Sequence, residues 1–193
     1  MSLFQEIKDS AQGRDLSVRL YRNQIRSLGG GRLTGRTVIR EGRVEGQTRG
    51  QPTFGMMNLY YYRPKTDTKL PHYDVFPLVL PIERHRNGFT GLNFHYLPIP
   101  LRVQLLDRMK IYATNERMDV FWDLISSSRL VKPTVRRYLT RQVKSLFLEI
   151  PLDDMLVGIL LPVQKFYQGQ WKYKSPVADR SVWSQSRRTI NVA

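Results

Sequence analysis

The chain has 193 residues, no cysteine, a hydrophobic content of 41% and a net charge of +15 from 31 Lys and Arg against 16 Asp and Glu. That length predicts one compact domain, with or without arms, and the hydrophobic fraction is enough for a core, which excludes wholesale disorder. Without cysteine there are no disulfides, thiolate metal sites or cysteine nucleophiles, and no apolar run approaches the roughly 18 residues of a membrane span.

Residues 2–12 read as a short amphipathic helix, with Leu3, Phe4 and Ile7 among Glu6, Lys8 and Asp9, rather than as a signal peptide. A second helix is predicted over Asp15–Leu28, where Leu16, Leu20, Ile25 and Leu28 share a face. Gly29-Gly30-Gly31 stops it. Gly29–Gly55, with eight glycines and few bulky apolar residues, reads as a linker or extended arm without a fixed fold until it meets a partner, or as a plain flexible loop.

From Met56 the composition changes. Met57–Tyr62 is rich in strand formers. Tyr73–Glu83 is apolar but interrupted by Pro77 and Pro81, which predicts an edge or bent strand because each proline removes a ladder donor. Asn87-Gly88 signals a tight turn, and Phe89–Tyr96 the returning strand of an antiparallel meander. Leu101–Tyr112 has helical spacing, with Leu101, Leu105, Met109 and Tyr112 inside and Arg102 and Arg108 outside. Helices are also predicted at Met118–Ser126 and Pro133–Val143, a short strand at Leu146–Ile150, and a helical or turn segment at Met155–Leu161 whose Asp153-Asp154 start suits a helix amino terminus. Residues 168–193, with Trp171, Tyr173 and Trp183 among five basic groups, read as a second arm.

The positive charge is unevenly spread. Residues 1–55 carry +5, 56–131 only +3, 132–149 +4, 150–169 −1 and 170–193 +4. A nearly balanced middle with basic extremities suits a folded domain whose arms lie on something anionic, either DNA phosphate or the acidic surface of neighbouring proteins. Candidate contacts are Arg32, Arg36, Arg40 and Arg43 in the glycine-rich stretch and Lys132, Arg136, Arg137, Arg141 and Lys144, the last four of which form a continuous basic stripe if that segment is helical.

Catalytic chemistry is hard to find. The three histidines, His72, His85 and His95, have no ligand spacing. His72 and His85 read as solvated, and His95 as a buried structural histidine. Gly29-Gly30-Gly31 with Thr34-Gly35-Arg36-Thr37 lacks the Gly-Lys-Ser/Thr ending of a phosphate-cradling loop, and Ser126-Ser127-Ser128 lacks a nucleophile-elbow context. Tyr60-Tyr61-Tyr62 would stack bases or, better, pack a core, with Tyr60 and Tyr62 on one face and Tyr61 on the other. The reading is therefore a non-enzyme with no cofactor, no metal, no small-molecule substrate and no membrane partner.

The runs Asn58-Leu59-Tyr60-Tyr61-Tyr62, Leu70-Pro71-His72-Tyr73-Asp74-x-Phe76-Pro77 and Gly91-Leu92-Asn93-Phe94-His95-Tyr96-Leu97-Pro98, with Leu160-Leu161-Pro162 and Val182-Trp183-x-x-Ser186-Arg187-Arg188 further on, resemble a family of small virion proteins of large contractile-tailed phages, including those of marine cyanobacteria. Members are labelled as baseplate or hub components, or as proteins guarding the packaged DNA end. The resemblance implies a virion structural protein, made in the bacterial host cytoplasm and partnered by tail tube, hub or wedge subunits. The first expectation is a baseplate or hub protein acting by docking; the alternative is a DNA-binding protein on the genome end, and a third is a neck or connector component.

The expected architecture is α+β. It has an N-terminal helical segment over 1–28, a linker over 29–55, a core domain over 56–167 with a small antiparallel barrel-like sheet and flanking helices, and an extended basic and aromatic arm over 168–193. Trp171, Tyr173 and Trp183, ringed by Arg180, Arg187 and Arg188, are the expected protein-interface anchors, because Trp, Tyr and Arg dominate interface hot spots.

Overall fold

The computed structural model describes residues 7, 18–27, 33–41, 48–113 and 128–192. The helices expected over 2–12 (Ile7 apart) and Met118–Ser126, together with Arg32 and Arg43, lie outside the described residues. The fold is α+β. Its helices are α1 (Val18–Ser27), α2 (Gly35–Glu41), α3 (Ile99–Ala113), α4 (Met155–Leu160) and α5 (Asp179–Val192). The strands are β1 (Thr48–Arg49), β2 (Met57–Leu59), β3 (Tyr73–Asp74), β4 (Leu78–His85), β5 (Gly88–Asn93), β6 (Val135–Leu139), β7 (Phe147–Ile150), β8 (Phe166–Gln168) and β9 (Ser175–Val177).

A six-stranded antiparallel sheet runs β1-β7-β2-β4-β5-β6, and a three-stranded one runs β3-β8-β9. Among the described residues neither sheet closes, so the expected barrel-like form is not seen. The larger sheet is buried on both faces by alternation. Leu59, Leu78, Leu80, Leu92, Leu148 and Ile150 join an aliphatic core with α1, α2, α3 and α4, to which Ile7 also belongs. Tyr60, Tyr62, Val79, Phe89, Tyr138 and Phe147 form a separate, largely aromatic cluster. Most of the rings meet edge-on or tilted, Tyr60 to Phe147 at 4.8 Å and Tyr62 to Tyr138 at 5.0 Å, while Phe89 stacks on Tyr138 at 5.5 Å. Core packing thus accounts for Tyr60 and Tyr62, while Tyr61 stacks on Phe76 on the opposite side.

Several expectations change in three dimensions. Pro77 lies at the break between β3 and β4, while Pro81 falls inside β4, which is central in the sheet and not an edge. Pro81 is tolerated there because β2 pairs only with Leu78 and Val79, and the β4–β5 ladder is irregular between Pro81 and Glu83. Residues 34–41 are not linker. Thr34 and Thr37 cap α2 reciprocally, each backbone N–H donating to the other's Oγ1 at 2.9 and 3.2 Å, and Val38 and Ile39 enter the core. Gly35 lies so close to Phe76 that an added Cβ would fall 2.2 Å from its ring. Thr48 and Arg49 pair with β7, and Arg49 meets Glu149 at 2.9 Å.

The segment beyond 167 is not an extended arm. β8 joins β3 to β9, and α5 buries Val182 against Tyr96 and Phe166. Val182, Ser186 and Ile190 are spaced for one helix face, and Asp179 supplies the acidic first turn. A unit ending at 167 would cut through β8 and lose β9, which pairs with it.

Candidate nucleic-acid interface

Residues 135–139 form strand β6, not part of a helix, with Thr140–Gln142 a 3-10 turn after it. The β-branched Val135 and the aromatic Tyr138 fit an edge strand, and β6 pairs along the whole of Gly88–Leu92. Alternation then separates the arginines that helical spacing would have aligned: the expected stripe does not exist.

What replaces it is a groove. The β4–β5 hairpin turns through Arg86 and Asn87, and Thr140 N donates to Asn87 O at 3.1 Å, docking the 3-10 turn against the hairpin tip. Arg63 N donates to Gln142 O at 3.0 Å and Lys144 N to Tyr61 O at 2.7 Å, which brings the loop after Tyr62 to the same end of the sheet. Gly88 is needed at this closure, since a Cβ there would lie 1.9 Å from Tyr138 O. The result is an open groove of about 1420 Å³ lined by Lys65, Arg84, Arg86, Arg137 and Arg141, with His85 and Phe54. Among the described residues no carboxylate lines it. Among the described residues none of its five Lys and Arg side chains forms an ion pair. Arg137 donates to Asn87 Oδ1 at 3.2 Å, and the Arg84 guanidinium lies 4.9 Å from the Phe54 ring centre. Such a concentration of unneutralised cations on an aromatic floor attracts polyanions.

Two smaller hollows adjoin it through Lys65. One, of about 470 Å³, holds Arg136 and Arg137 among His72, Tyr73 and Tyr96. The other, of about 380 Å³, gathers Arg63, Lys144 and Lys172 around Trp171. Arg137, Arg141, Lys144 and Arg136 of the expected contacts thus meet around one end of the sheet, whereas Lys132 is exposed away from these hollows. Arg36 lies over Tyr61 at 5.7 Å, and Arg40 pairs with Glu41 at 3.1 Å. Lys65, Arg84 and Arg86 are newly implicated, and the only signal for the last two was their place beside a hairpin turn.

The expected interface tryptophans pack on their own domain. Trp171 stacks on Tyr73 at 6.1 Å, with Lys174 4.2 Å and Arg63 5.2 Å from its ring centre. Trp183 Nε1 donates to His95 O at 2.9 Å. Tyr173, at 70% exposure, stays on the surface, as do Arg180, Arg187 and Arg188.

Beneath the hollows lies a buried polar cluster. Asp74 Oδ2 accepts from His95 Nδ1 at 2.7 Å and from Asn93 Nδ2 at 3.3 Å, and Oδ1 accepts from the backbone N–H of Phe76 and Lys165 at 3.0 and 3.2 Å. Arg102, expected outside, is wholly buried and donates to the carbonyls of Leu97 at 2.7 Å, Ile159 at 3.1 Å and His95 at 3.4 Å. Burial draws its pKa well below the usual guanidinium range, to about 10. His72 is buried against Tyr96 and Phe166, not solvated.

Burial also lowers the pKa of both His72 and His95, outweighing the Asp74 attraction at the latter. The fold therefore holds both imidazoles neutral, while the unfolded chain protonates them below about 6.5. Stability is retained above that value and lost as pH falls from it towards the folded pKa values, at up to about 1.4 kcal/mol per pH unit for each histidine. Urea midpoints at pH 7 and 5.5 should show the loss, and replacing His72 by Phe should flatten it. A midpoint that rises on acidification would reverse the assignment.

No described helix is long and apolar enough to cross a membrane, and the described residues hold no cluster of three metal-ligating side chains. A family model described as the phage T4 terminal DNA protecting protein matches residues 36–186. No curated protein and no solved structure matches the chain.

Proposed function

The chain belongs to the phage T4 terminal DNA protecting protein family, and on that premise we propose that it binds the ends of linear duplex DNA through the basic groove at the hairpin end of the large sheet. The observation carrying this reading is the set of five cations, Lys65, Arg84, Arg86, Arg137 and Arg141, gathered in one groove and, among the described residues, without an ion pair or a lining carboxylate. Their service is electrostatic: each neutralises a phosphate and releases counterions, so the protein shields DNA by occupying it and performs no reaction. Of the readings drawn from the sequence, the family supports the genome-end one, and it points to no baseplate, hub or neck position. Association with the virion follows if the protein travels with the packaged end.

A titration against linear duplex tests it. With five phosphate contacts log Kobs should fall with log salt at a slope of about −4.5, or about 500-fold in affinity between 50 and 200 mM. Linear DNA should compete better than the same DNA closed into circles. A flat salt response would remove the groove from the account.

A further inference from the structure

The hollow beside the groove has the size and chemistry for something smaller than a duplex. Its volume of about 470 Å³ lies at the low end for small-molecule sites, and it borders the groove, sharing Lys65, Arg137 and Leu139 with it. One wall carries Arg136, whose guanidinium carbon lies 4.0 Å from the centre of the Tyr96 ring and whose Nη1 donates to Val135 O at 2.7 Å. Ring and carbonyl hold the guanidinium on one side; it makes no ion pair among the described residues, and it faces the hollow. Pro64, Leu70 and Pro71 supply apolar walls. Among the described residues the hollow's one carboxylate is Asp74, already engaged by four donors and outnumbered by Lys65, Arg136 and Arg137, so the charge presented there is positive.

We propose that this hollow takes a single unpaired terminal nucleotide, its base stacked on the Arg136 guanidinium and its phosphate held by Arg137 and Lys65. The proposal rests on the groove binding duplex DNA and adds what would make that binding specific for an end. Bases stack on guanidinium planes as well as on aromatic rings. A base within a duplex must be unstacked and unpaired before it can enter such a pocket, whereas a frayed or overhanging terminal nucleotide has already lost those interactions. Trp171, the alternative platform nearby, has Tyr73, Lys174 and Arg63 packed around its ring.

The test compares a short duplex with open ends to the same duplex closed at both ends by hairpin loops, with fluorescence anisotropy as the readout. The wild type should prefer open ends by about tenfold, the worth of one stacked base. Arg136→Ala should lose that preference while holding the closed duplex within about twofold of the wild type. An unchanged preference, or equal loss on both duplexes, overturns the proposal. Equal binding of the wild type to both, with a steep salt dependence, overturns it and leaves the groove intact. No salt-dependent binding to either removes both. If the variant fails to fold, 2-aminopurine at the terminal position decides alone: its fluorescence should change on binding the wild type, while a probe inside the duplex should not. Identical responses at the two positions count against the pocket.

Discussion

Replacing Arg84, Arg86 and Arg141 together by alanine should lower affinity for duplex DNA roughly 10³-fold at about 50 mM salt. The three contribute about 2.7 units of the expected salt slope, leaving about −1.8 from Lys65 and Arg137, and the lost counterion release accounts for the weaker binding. All three side chains are exposed, and none forms an ion pair among the described residues, so thermal melting should be unchanged. The decisive control removes the same charge elsewhere. Arg180, Arg187 and Arg188 are exposed on α5, and none of them lines the groove. Their triple alanine variant should bind within a few-fold of the wild type, because screening limits what distant surface charges contribute. Equal losses in the two variants would mean that net charge, not the groove, carries the binding.

The second large effect is on stability. Asp74→Ala removes the acceptor for the buried Phe76 N–H, Asn93 amide and His95 imidazole and for the part-buried Lys165 N–H, and takes a compensating charge from near the buried Arg102. Uncompensated buried donors and charge of this kind cost about 3–5 kcal/mol. For a chain of this length that is a fall in melting temperature of roughly 6–20 °C. The acceptor sits in β3 and the donors in the link between β3 and β4, in β5, in the turn after it and in the chain before β8, so both sheets should loosen together. A variant that melts with the wild type would show that water replaces the carboxylate.

α1, α3, α4, β7, the hairpin turn near Asn87 and the two faces of the Tyr60–Tyr62 run were legible in the sequence, since each depends on local periodicity or on a turn-forming pair. The same logic went astray at 133–143, where arginines at helical spacing masked β-forming Val135, Tyr138 and Leu139 that pair with Gly88–Leu92 far away in the chain. It also failed at the carboxy terminus, where five basic groups suggested solvent while Val182, Ser186 and Ile190 already marked a buried helical face.

Composition and order by themselves determined the basic character, the absence of thiol chemistry, the mixed α and β content and the family likeness. They offered Arg137 and Arg141 as candidate contacts for an anion, but not what stands beside them. Tertiary structure alone decided that Lys65, Arg84 and Arg86 converge on those two, that Trp171 and Trp183 are spent on their own domain, and that Arg102 and His72 lie inside. The physical reason is the range of each signal. Helical and strand periodicities are written over a few neighbouring residues, whereas a groove is made by antiparallel pairing and loop docking between segments as distant as Lys65 and Arg141, whose spacing in the chain carries no mark of their meeting.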